Sequence, residues 1–78
     1  MAAQVANIKL DLKGVIAPVS LLKCKSFLKT MSQGDILTVF INDDDVISDL
    51  KLIVERSEDS IISIQKEKDH TRIKIRRG

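Results

Sequence analysis

Leu10-Asp11-Leu12-Lys13-Gly14-Val15-Ile16-Ala17-Pro18-Val19-Ser20-Leu21-Leu22-Lys23-Cys24-Lys25-Ser26-Phe27-Leu28-Lys29-Thr30-Met31 reads as a strand, a short loop and a helix. Just before and within its start, Ile8, Leu10 and Leu12 alternate with Lys9, Asp11 and Lys13, the period of a half-buried strand. Gly14 then permits a turn that a side chain would resist. Pro18 suits the first helical position, because its ring presets φ and its missing N–H has no partner there. Ala17 falls near the N-cap, where it is a poor capping residue. Leu21, Cys24, Phe27, Leu28 and Met31 recur at three- and four-residue spacings and predict the buried stripe of the helix, with Lys23, Lys25 and Lys29 elsewhere. Gln33-Gly34-Asp35 predicts the helix end, with Gly34 just past it.

Outward from that stretch, Ile36 to Ile41 is almost wholly apolar and predicts a central strand covered on both faces. Asn42-Asp43-Asp44-Asp45 supplies a cap and favourable charge for a second helix, whose stripe is Val46, Ile47, Leu50, Ile53 and Val54. That helix ends near Arg56 or Ser57. A third strand starts at Ile61, with Ile62 and Ile64 inward and Ser63 and Gln65 outward. Lys66 to His70 has the length of a hairpin loop, and Ile73 and Ile75 alternate with Arg72, Lys74 and Arg76 in a last strand. The order β-α-β-α-β-β predicts an α/β (α+β) two-layer sandwich, two helices on one face of a four-stranded mixed sheet. Residues 1–7 lack periodicity and predict a loose arm; residues 8–78 form one domain.

Composition narrows the function classes. The charge is +2, from 13 basic and 11 acidic residues, too little by itself for phosphate-backbone binding. Two Phe are the only aromatics, which weighs against modules that stack bases on aromatic platforms. One Cys and one His give no intramolecular disulfide and too few soft ligands for structural zinc. No apolar run is long enough to span a membrane, and the start does not read as a signal peptide, so a cytoplasmic location is expected. No cofactor is implied.

The order of these signals resembles the TusA/SirA-like sulfur-carrier family: a strand with Asp, then Gly, then Cys-Pro-x-Pro where a helix begins. The resemblance is carried by Leu10-Asp11-Leu12 and Gly14 before Pro18, Gly34-Asp35 before the second strand, and Asp43-Asp44 before the second helix. It covers Ile8 to the last residue. In such proteins the motif cysteine accepts a persulfide and passes its sulfur to a partner, in relays serving tRNA thiolation, cofactor assembly or sulfur oxidation. A thiolate there is favoured by the positive end of the helix dipole. By this resemblance Ala17 stands at the cysteine position and Ser20 at the second proline. The implied role is a carrier-fold domain that transfers no persulfide and docks a protein partner, of sulfur-relay or regulatory type, at Gly14, Ala17 and Pro18. Whether the chain is an enzyme stays open. The alternatives are an active carrier working through Cys24, or a small RNA-binding module.

The remaining chemical residues have simpler readings. Cys24 lies seven residues after Ala17, about 10 Å along the helix, and shares the stripe of Leu21 and Leu28 as a small buried hydrophobe. His70, alone in a polar loop, reads as a surface residue. Asp43, Asp44 and Asp45 diverge in space as neighbours and read as helix caps, not as a metal site. Arg72, Lys74, Arg76 and Arg77 read as a solvated strand face. Asp11 has no evident role at this level.

Overall fold

The computed structural model describes residues 5–78. Alternation at Ile8 and Leu10 becomes strand β1 (Asn7–Asp11), and Leu12 follows it into the core, its N–H donating to the Phe40 carbonyl at 2.8 Å. Helix α1 (Val19–Thr30), strand β2 (Ile36–Ile41), helix α2 (Asp44–Glu55) and strands β3 (Ser60–Lys66) and β4 (Thr71–Arg76) complete the expected order. The sheet runs β1-β2-β4-β3, with β1 parallel to β2 and the other pairs antiparallel. Of the proposed arm, residues 1–4 lie outside the described residues. Ala6 is tied down: its N–H donates to Asp35 Oδ1 at 3.1 Å and its carbonyl accepts from Ile36 at 2.9 Å.

Both helices pack on one face. Leu12, Leu37, Val39, Ile41, Ile73 and Ile75 from the sheet side meet Cys24 and Leu28 of α1 and Val46, Leu50 and Val54 of α2 in one cluster. Asp43 caps α2, its Oδ1 accepting from the Asp45 N–H at 2.9 Å, while Asp44 and Asp45 occupy the first turn. Those carboxylates sit where the helix dipole favours negative charge.

Four details depart from the sequence reading. The buried stripe of α1 is Ser20, Cys24 and Leu28; Leu21 is half-buried and Phe27 is 37% exposed. A stripe at strict four-residue spacing leaves Phe27 on its flank. Helix α1 stops at Thr30, so Gly34 belongs to the following turn, where Asp35 donates to the Ser32 carbonyl and Gly34 takes φ +91°. In β3 the register shifts between Ile61 and Ser63. Ile61 and Ile64 therefore stand opposite Ile75 and Ile73, and Ile62 falls in the irregularity; Ile61 packs against the core, whereas Ile62 and Ile64, expected inward, are 45% and 43% exposed on the outer strand. Finally, β2 is central but only its Leu37–Val39–Ile41 face meets the helices; Ile36 and Phe40 are half-buried on the uncovered side.

Candidate functional site

Parallel β1 and β2 end side by side, and each hands the chain to a helix, so both helix N-termini gather at one end of the sheet. The β1–α1 loop is built there from three polar fastenings. Asp11 Oδ1 accepts the Lys13 N–H at 3.0 Å, which gives Asp11 the role the sequence did not reveal. Val15 donates to the Leu12 carbonyl at 3.0 Å, closing a turn in which Gly14 takes φ +79°. Space around Gly14 is open, so it is the left-handed backbone that calls for glycine. Asn42 Oδ1, from the end of β2, accepts the Gly14 N–H at 3.1 Å and locks the loop to the sheet. Asn42 read from sequence as one of several possible caps; nothing in its local pattern points across to Gly14.

The loop enters α1 differently from expectation. Pro18 is the cap residue, with φ −88° and ψ −1°, and the first helical position is Val19. Ala17 precedes the cap and is half-buried, and the Ala17–Pro18 peptide is cis. Ser20 donates its N–H to the Ile16 carbonyl at 3.1 Å, and Leu22 donates to Pro18 at 3.0 Å. No side chain caps α1, and its first turn holds no acidic residue, in contrast to α2. The positive end of the α1 dipole thus meets no carboxylate of its own first turn.

Around this entry the surface is apolar. Ile16 is 71% exposed, Val19 47% and Leu22 60%, beside exposed Pro18. Val19 and Leu22 lie off the buried α1 stripe, and with Ile16 they leave three apolar side chains exposed along the loop and the first turn of the helix. Ser20 turns the other way. It is fully buried, and among the described residues its Oγ has no hydrogen-bond partner.

Cys24 is also fully buried, one turn beyond Ser20 on the same face. Burial raises its thiol pKa to about 11 from 9.0. A thiol in that setting is neither accessible nor ionised at neutral pH. His70 is not the plain surface residue expected: its side chain is 20% exposed, pairs with Asp69 at 2.7 Å and packs edge-on to Phe40. The hydrogen bond from His70 holds the Asp69 carboxyl below its usual range. Among the described residues, no three His, Cys, Asp or Glu side chains converge as metal ligands. Nor is any helix there long and apolar enough to cross a membrane.

The geometry so far is a rigid loop, an uncapped helix start and an apolar collar, with Gly14, Ala17 and Pro18 within one loop–helix junction. Comparison with known proteins agrees on what this scaffold is. The family model described as sulfurtransferase TusA matches residues 8–77. A candidate sulfur carrier protein of Archaeoglobus fulgidus is 31% identical over 61 residues, 78% of this chain and 69% of that one. The crystal structure of a SirA-like protein from Desulfitobacterium hafniense superposes with a TM-score of 0.71 at 20% identity, covering 91% of this chain and 97% of the other. At that identity the likeness speaks for the fold.

Proposed function

This chain belongs to the TusA sulfurtransferase family, and from that premise we propose that it is a carrier-fold domain that docks a protein partner at the β1–α1 junction and transfers no persulfide. The observation that carries the reading is the placement of sulfur. The loop–helix junction, where a thiolate would gain from the helix dipole, offers only the Ala17 methyl group, and the one thiol of the chain is enclosed in the core at Cys24. The scaffold around the junction is nevertheless well built: Asp11, Gly14 and Asn42 hold the loop, and Ile16, Val19 and Leu22 surround it with exposed apolar surface. Apolar collars of this kind suit protein contact. The partner belongs to a sulfur relay or to a regulatory system that recognises the carrier fold, in the cytoplasm.

The test is persulfide loading from a polysulfide donor, read by intact-protein mass. The native chain gains no sulfur atom. Ala17→Cys places a thiol beside the start of α1 and gains one. Loading of the native chain at Cys24, at a rate comparable with Ala17→Cys, overturns the proposal in favour of an active carrier.

A further inference from the structure

Among the described residues nothing covers the sheet face turned away from the helices, and its register puts cations on both sides of a central strand. One row runs Lys9 on β1, Thr38 on β2, Lys74 on β4; the next runs Asp11, Phe40, Arg72. Asn7, Lys9, Thr38, Phe40, Arg72 and Lys74 line a trough of about 390 Å³ along β2. Lys9 and Lys74 stand two strand spacings apart, about 10 Å, so the trough is one chain wide. Arg76 extends the cationic wall beyond Lys74, at the two-residue repeat of about 6.8 Å along a strand. That repeat is close to the phosphate spacing of an extended single strand.

The balance of charge on this face is positive. Its anions include Asp11, whose Oδ1 already accepts the Lys13 N–H, Glu67, which pairs with Arg72 at 3.2 Å, and, at the His70 end, Asp69, which pairs with His70 at 2.7 Å. Gln65 also accepts from Arg72. Among the described residues, Lys9, Lys74 and Arg76 make no ion pair. Phe40, half-buried, lines the trough on β2, and His70 packs against it at 70° with centroids 5.6 Å apart. Aromatic scarcity in the sequence weighed against base stacking; the fold places one of the two Phe rings in the trough, one row beyond Lys9 and Lys74, with Asp11 and Arg72 as its strand neighbours.

We propose that this trough binds single-stranded nucleic acid, with phosphates along Lys9, Lys74 and Arg76 and a base stacked on Phe40. An acidic peptide would use the cations but gain little from the ring. A duplex is too wide for the trough. The proposed contacts, Lys9, Lys74, Arg76 and Phe40, include none of the side chains that build the β1–α1 junction, so the result leaves the carrier-fold reading untouched.

Fluorescence anisotropy with a labelled oligouridylate of about 12 nucleotides tests it, read between about 50 and about 200 mM salt. Neutralising three phosphates gives a log–log salt slope near −2, an affinity loss of about twenty-fold across that range. Lys9→Ala and Lys74→Ala, both at exposed positions, each reduce the slope by about 0.7 and weaken binding at low salt. Phe40→Leu weakens binding about five-fold with the slope unchanged, the signature of lost stacking. Lys51→Ala, on the exposed side of α2, changes nothing. The proposal is overturned by absence of binding at low salt, by binding that Lys9→Ala and Lys74→Ala leave intact, or by equal competition from duplex or from polyglutamate.

Discussion

Cys24 makes the sharpest prediction, because it is the only thiol and the structure encloses it fully. Add a chromogenic disulfide reagent to the folded protein at neutral pH and follow release of its thiolate. Attack by the native thiol is blocked twice. No reagent reaches a side chain with 0% exposure, and a pKa raised from 9.0 to about 11 leaves one hundredth of the usual thiolate. Labelling must then pass through an opened chain. Domains are stable by roughly 0.05–0.15 kcal/mol per residue, which for this length is at least about 4 kcal/mol. If opening costs that much, native labelling runs about a thousand-fold slower than in denaturant. The companion measurement in denaturant supplies the unprotected rate on the same sample. Native labelling within about ten-fold of that rate would show Cys24 to be open to solvent, and with it the case against an active carrier would fall.

Alkaline titration reads the same burial differently. The Cys24 thiol is neutral when folded, whereas unfolding restores ionisation near 9.0, so the unfolded state holds fewer protons between pH 9.0 and about 11. Its contribution is complete below pH 9.0 and is lost as pH rises to about 11, a fall of about 2–3 kcal/mol in urea melts, and Cys24→Ala abolishes that component. Ser20→Ala removes a buried hydroxyl without a partner and improves helix propensity; urea melts should show a gain of about 1 kcal/mol, and a loss would mean that the hydroxyl is satisfied. Asp35→Ala strips acceptors from the Ala6 and Ser32 N–H groups, at 3.1 and 2.9 Å, and should cost about 2 kcal/mol, with amide exchange speeding up first at Ala6.

Much of the architecture was legible because hydrophobic period and local breakers are local signals. Ile8-Leu10-Leu12, the Val46-Leu50-Val54 stripe, Ile73-Ile75 and the Asp43 cap carry their own secondary structure, whichever neighbours they meet. Gly14 and Pro18 marked the loop and the helix entry, and the motif order around them identified the family to which the matched residues 8–77 belong.

What stayed out of reach was set by contacts between distant residues. Asn42 fastens Gly14 across 28 positions, a bond with no local signature. Pro18 became the cap, not the first helical residue, once Ser20 closed back on Ile16. The α1 stripe took Ser20 and released Phe27 because the rotation of a helix is settled by the sheet it lies on, and a weakly amphipathic pattern accommodates either choice. The irregularity in β3 moved Ile62 out of the core-side register by one residue, enough to reverse a face in a structure whose side chains alternate. Periodicity along the chain therefore determined which segments are strands and helices, while the turning of each element against its neighbours decided which side chains face a partner and which are sealed away, because burial is a property of the assembled layers.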